Sequence, residues 1–117
     1  MRVAIIGRTE TLYATALLLK EKGYEIACII TAKEAPEYSR TAEDFRRLAS
    51  DWNIPFLCTA KIVEAEEWIR ACGEVDVGVS MNFSGIIPSS IIDLFPLGIL
   101  NAHGGDLPRY RGNACKA

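Results

Sequence analysis

Asn101 and His103 stand two residues apart at the end of an apolar run, and Gly104-Gly105 follow directly. In extended backbone, residues i and i+2 project to the same side of the chain. The pair therefore offers an amide N–H and an imidazole toward one reacting group. That combination suits acyl transfer, in which a donor stabilises a developing oxyanion and an imidazole moves a proton near neutral pH. A structural histidine beside a flexible glycine turn has the same appearance in sequence. His103 is the only histidine in the chain, which excludes a histidine-based metal cluster.

Three further segments carry polar or ring-binding chemistry. From residue 71 to residue 108 there are four acids, Glu74, Asp76, Asp93 and Asp106, and no Lys or Arg. Arg109, Arg111 and Lys116 follow with no acid among them. Arg109 and Arg111 suit a phosphate or carboxylate of an incoming substrate, although a solvated basic loop looks alike. Met81-Asn82-Phe83-Ser84-Gly85-Ile86-Ile87-Pro88 is an apolar loop able to line a slot for a flat ring or to fold back into a core. Gly7-Arg8-Thr9-Glu10 has the place of a phosphate-binding turn but lacks the glycine fingerprint, and Glu10 sets an anion at the helix start. A tight strand-to-helix turn is the better reading there.

Positioning these segments requires an alternation of strands and helices. Residues 2–6 form a β-branched run suited to a strand buried on both faces. Leu12, Tyr13, Ala16, Leu17 and Leu19 fall at helical spacing over residues 10–22, and Gly23 supplies the stop. Residues 24–31 read as the second strand and 32–40 as a loop. Thr41-Ala42-Glu43-Asp44 has capping-box character, ahead of a helical face made of Phe45, Leu48, Ala49 and Trp52. Residues 54–58 predict a short strand, 61–72 a helix ended by Gly73, and 74–80 a strand alternating Val75, Val77 and Val79. A helical turn opens at Pro88-Ser89-Ser90, and residues 98–102 form the fifth strand. Strand–helix–strand units of this kind require right-handed crossovers and a parallel sheet. The expected fold is thus α/β, a Rossmann-like open parallel sheet with helices on both faces. Its ligands bind beyond the carboxyl ends of the strands, where all the segments above lie.

Composition narrows the function classes. With half the residues apolar and a quarter charged, the chain is neither disordered nor of low complexity. Thirteen basic against fifteen acidic residues argue against an extended nucleic-acid surface. Cys28, Cys58, Cys72 and Cys115 show no paired spacing, so neither a zinc nor a redox-pair motif is present, and reduced thiols in a cytoplasmic protein are expected. The longest uncharged stretch, residues 77–92, is broken by glycine, polar residues and Pro88, unlike a membrane span. The amino terminus lacks the pattern of a signal peptide.

Taken whole, Asn101-Ala102-His103-Gly104-Gly105-Asp106-Leu107-Pro108-Arg109-Tyr110-Arg111-Gly112 resembles the signature loop of the 10-formyltetrahydrofolate-dependent formyltransferases. Phe83-Ser84-Gly85-Ile86-Ile87-Pro88 resembles the loop that packs against the folate pterin in that family, and Asp93-Leu94-Phe95-Pro96-Leu97-Gly98 the turn into its catalytic strand. The resemblance implies a Rossmann-like fold and transfer of a formyl group from 10-formyltetrahydrofolate to a primary amine, without a metal. It makes Asn101 the donor to the formyl oxygen and His103 the group that polarises the centre or shuttles the amine's proton. Phe83, Ile86 and Ile87 would line the folate site. Arg109 and Arg111 would hold the acceptor, and Asp106 would bind its amine or a sugar hydroxyl.

Two departures stand out. The family usually has Ser-Leu where this chain has Gly105-Asp106, and its catalytic aspartate lies a few dozen residues beyond the histidine, past residue 117. The 117 residues are therefore expected to be the N-terminal part of a formyltransferase catalytic domain, weak or inactive in isolation and prone to self-association through an unfinished sheet. The acceptor is expected to be an amino sugar on a nucleotide or of methionyl-tRNA type. The alternatives are a formyltetrahydrofolate hydrolase and a non-catalytic folate-binding fragment.

Overall fold

The computed structural model describes residues 1–32, 40–81, 83 and 87–102. Five parallel strands form one sheet: β1 (Arg2–Gly7), β2 (Glu25–Thr31), β3 (Phe56–Cys58), β4 (Val77–Met81) and β5 (Ile99–Ala102). Their order across the sheet is β3-β2-β1-β4-β5, the doubly wound Rossmann-like arrangement that the alternation predicted. Four α-helices join them: α1 (Glu10–Glu21), α2 (Ala42–Trp52), α3 (Glu66–Ala71) and α4 (Ser89–Ile92).

Alternation along β1 explains the two cores. Val3 and Ile5 point to one face, where they meet Leu12 and Ala16 of α1 and Phe45 and Leu48 of α2. Ala4 and Ile6 point to the other, where they meet Ile69 of α3, Ile91 of α4, Phe95 and Ile99. With both faces covered, β1 can be apolar throughout, as central parallel strands are. β2 departs from strict alternation. Val3 pairs with Ile26 but Ala4 pairs with Cys28, so Ala27 is an extra residue, a β-bulge. Ile26 therefore joins the α1/α2 core, whereas Ala27 and Cys28 both join the α3/α4 core.

Local chemistry sets the helix ends. The Thr41 hydroxyl accepts the Asp44 N–H, and the Asp44 carboxylate accepts the Thr41 N–H, a complete capping box. These contacts hold the Asp44 carboxyl below its ordinary pKa, the backbone hydrogen bond from Thr41 contributing most. α2 ends on Asn53 in the left-handed conformation. The amphipathic stretch predicted over residues 61–72 divides into a 3₁₀ turn (Ile62–Ala65) and α3, with no side-chain cap at Lys61. β4 begins at Val77 rather than residue 74, because the Asp76 carboxylate takes the N–H of Arg2 at 2.8 Å in place of a ladder partner. Among the described residues no helix is long and apolar enough to cross a membrane.

Candidate functional site

The order of the strands reverses between β1 and β4, so the chain leaves the carboxyl ends of these neighbours in opposite directions and opens a crevice there. The backbone around the crevice is tightly fixed. Gly7 ends β1 at φ 134, and a Cβ on it would stand 2.1 Å from the Met81 carbonyl oxygen. That same oxygen accepts the Arg8 N–H at 2.9 Å. On the other side the buried Thr31 hydroxyl donates to the Gly7 carbonyl at 2.7 Å. A glycine without a side chain and a threonine at the end of β2 thus lock β2, β1 and β4 together at their carboxyl ends. Thr31 was not singled out by motif; its signal is a lone hydroxyl closing an apolar strand.

Thr9 caps α1, its side chain accepting the Leu12 N–H at 3.4 Å. Glu10 in the first turn takes the Arg40 guanidinium at 2.6 Å, and that guanidinium lies 4.0 Å over the Tyr13 ring. The positive end of α1 already has its countercharge in Glu10, in keeping with a strand-to-helix turn and not a phosphate cradle.

Asn101 lies at the carboxyl end of β5, one residue before the strand ends at Ala102. It pairs in register with Ser80 of β4, and both are buried. Ile99, two residues earlier, belongs to the α3/α4 core, so Asn101 projects to that face. Phe83 packs half-buried against the same core, and Ile87 is buried within it at 2 % exposure. The structure therefore brings Asn101, Ser80, Phe83 and Ile87 to one face of the sheet, with Ser80 and Asn101 toward its carboxyl end. Ile87 also serves as core, the second of the two roles open to it in sequence. His103, Ile86, Asp106, Arg109 and Arg111 lie outside the described residues.

A buried carboxamide beside a serine, on the face of the α3/α4 core and one strand from the switch point, can donate a hydrogen bond to a carbonyl in a water-poor setting. A cavity of about 810 Å³ lies elsewhere. It is an open groove between α3 and α4 at the amino ends of β4 and β5, lined by Ile69, Arg70, Val75, Asp76 and Asp93 among others. Two of its charges are already engaged, Asp76 by the Arg2 N–H and Arg70 by Glu66 at 2.9 Å. Parallel sheets bind ligands at the opposite end, and Asn101, Phe83 and Ile87 are not among the residues that line this groove. Among the described residues, no group of three or more His, Cys, Asp or Glu gathers to hold a metal.

Comparison with known proteins gives the family. A family model described as formyl transferase matches residues 1–117. A methionyl-tRNA formyltransferase of Nitrobacter hamburgensis is 34 % identical over 123 residues, covering 97 % of this chain and 38 % of that protein. One from Methylobacterium sp. is 33 % identical over 119 residues, with the same coverage. One from Acetivibrio thermocellus is 30 % identical over 119 residues, again covering 97 % and 38 %. The chain spans a little over a third of the length of these relatives. The Rossmann-like sheet, the buried asparagine at its carboxyl edge and a match along the whole sequence lead to one assignment: the chain belongs to the formyl transferase family.

Proposed function

We propose that residues 1–117 form part of a formyltransferase catalytic domain that passes a formyl group from 10-formyltetrahydrofolate to a primary amine, with methionyl-tRNA as the acceptor. The observation that carries this reading is the position of Asn101: buried, at the carboxyl end of β5, on the face shared with Phe83 and Ile87. The relatives' names supply the acceptor. An apolar wall beside one carboxamide fits a flat heteroaromatic donor whose reactive carbonyl needs a single aligned hydrogen bond.

The donor supplies an activated formyl carbon attached to nitrogen. Asn101 donates its side-chain N–H to the formyl oxygen and strengthens that bond as negative charge develops. His103 takes the proton that the attacking amine must lose and returns it to the departing folate nitrogen. In this reading Arg109 and Arg111 bind phosphates of the acceptor, and Asp106 binds its amine. No side chain is covalently modified, since the substrate amine is itself the nucleophile.

The test is formation of formylmethionyl-tRNA from 10-formyltetrahydrofolate by a complete catalytic domain containing these residues, with Asn101→Ala and His103→Ala alongside the parent. Removing an oxyanion donor lowers kcat by about 10²–10³, and Asn101→Ala is expected to do so with little change in the KM for folate. Full turnover in both variants would overturn the assignment. A nucleotide amino sugar as second acceptor separates the acceptor classes, and formate release without any amine identifies a hydrolase.

A further inference from the structure

Four side chains stand in register across the carboxyl half of the sheet. Ile30 of β2 pairs with Ile6 of β1, Ile6 with Ser80 of β4, and Ser80 with Asn101 of β5. All four are buried. Ile30 and Ile6 belong to the α3/α4 core. Gly78, two residues before Ser80, faces the same core, since a Cβ on it would meet Ile99 and Ile6, and Ser80 follows it to that face. The row therefore turns from apolar to polar between β1 and β4, where the strand order reverses. Ser80 is the one polar side chain in β4, which reads Val77-Gly78-Val79-Ser80-Met81. Burying a hydroxyl costs free energy unless it is hydrogen-bonded.

We propose that Ser80 is a positioning residue for the reaction: its hydroxyl donates to the side-chain oxygen of Asn101 and so turns the amide N–H toward the formyl group. The inference rests on the formyl-transfer reading above. A carboxamide carries an acceptor at one end and donors at the other. Its last torsion is broad, so the Asn101 side chain does not by itself fix which end meets the substrate. The wrong end would set one oxygen against another just where negative charge develops. Neighbouring strands lie about 4.8 Å apart, which puts a serine hydroxyl and an asparagine carboxamide on register partners within reach of one hydrogen bond. The alignment is completed as the substrate takes the amide N–H. An apolar residue at position 80 has no donor to offer the amide oxygen. Ser80 acts on Asn101 from beneath the substrate, in keeping with its burial.

The test compares Ser80→Ala, Ser80→Thr and Ser80→Val in a complete catalytic domain containing these residues, together with Asn101→Ala and the double variant Ser80→Ala/Asn101→Ala. Formylmethionyl-tRNA formation gives kcat and KM, and urea unfolding verifies that each variant is folded. Ser80→Ala is expected to lower kcat by about 2- to 13-fold, the worth of one neutral hydrogen bond, with the KM for 10-formyltetrahydrofolate unchanged. Ser80→Thr keeps a hydroxyl and should retain more kcat than Ser80→Val, which has the same shape without one. In the Asn101→Ala background, Ser80→Ala should cost nothing further, because its effect passes through Asn101. If the added methyl unfolds Ser80→Thr and Ser80→Val, then Ser80→Ala and the double variant, which add no volume, decide alone. With Asn101→Ala impaired, a parent kcat in Ser80→Ala, equal kcat in Ser80→Thr and Ser80→Val, or an undiminished further loss in the double variant overturns this inference and leaves formyl transfer standing. Full turnover in Asn101→Ala overturns both.

Discussion

Replacing Gly7 by alanine tests whether the close approach of β1 and β4 sets the carboxyl edge of the sheet. An ideal Cβ at Gly7 lies 2.1 Å from the Met81 oxygen, whereas Cβ contacts under 3.0 Å essentially never occur. The two strands must therefore part by close to 0.9 Å at this point. That movement strains the Arg8 N–H bond to the same oxygen, now 2.9 Å. Gly7 also has φ 134, which costs a side chain about 1–3 kcal/mol. Overpacking adds about 1–3 kcal/mol, for a loss of about 2–6 kcal/mol from a domain whose whole stability is about 5–15 kcal/mol. Gly23→Ala provides the control, because Gly23 has φ 97 but nothing within 4 Å of its ideal Cβ. It carries the backbone strain without the clash. Urea unfolding followed by far-UV circular dichroism should place the Gly7→Ala midpoint clearly below that of Gly23→Ala at equal slope. Equal midpoints for the two variants would refute the steric argument, and a wild-type midpoint for Gly7→Ala would refute the strain argument as well.

Thr31→Val keeps the side-chain volume but removes the donor to the Gly7 carbonyl; a loss of about 1–3 kcal/mol is expected in urea unfolding, and an unchanged midpoint would show that this bond does not hold the edge. Thr41→Ala removes the hydroxyl half of the capping box and should cost about 0.5–2 kcal/mol, read from the same curves. The pKa of Asp44 is lowered on folding, so its contribution is fully present above the unfolded value of about 3.9 and is lost as the pH falls through the lower folded value. The stability gap between the parent chain and Asp44→Asn should therefore narrow from about pH 7 to about pH 2.5, and a constant gap would remove Asp44 from the acid response. In the reduced chain, Cys72 should react with iodoacetamide along a curve centred near its pKa of about 7, whereas a midpoint near the ordinary thiol value of about 8.5 would deny the influence of Cys28 and Arg2.

The elements that sequence resolved are those in which local pattern and tertiary environment ask for the same thing. Thr41 and Asp44 make the capping box that their spacing predicts, and Phe45, Leu48 and Ala49 form the buried face of α2. Over residues 61–72 the apolar stripe is real, with Ile62, Ala65 and Ile69 all buried. The start of that segment is a 3₁₀ turn because no side chain at Lys61 caps an α-helix. Val75 continues the alternation of β4 and is buried, yet it lies before the strand, since Asp76 uses both its backbone and its carboxylate on Arg2. Periodicity registers burial and cannot see that exchange of hydrogen-bond partners.

At the candidate site, the apolar run that ends in Asn101 marks a strand end, and the structure puts Asn101 there, buried at the carboxyl end of β5. The role of Thr31 was not legible, because its partner, the Gly7 carbonyl, is 24 residues away. The face that Cys28 takes depends on a bulge that composition does not reveal.

The central strand has a consequence in time. β1 finds β2 after one short helix, but its other edge closes only when Asp76 and β4 arrive, 74 residues after Arg2. At a synthesis rate of about 5–20 residues per second, that interval lasts roughly 4–15 s. By its later part, a growing chain holding β1, α1, β2 and α2 carries an unsatisfied row of backbone donors and acceptors along one side of its most apolar strand. The edge that will later border the strand-end crevice is thus the last part of β1 to be protected. Nascent chains halted before β4 should be the species most readily captured by chaperones that recognise open strands.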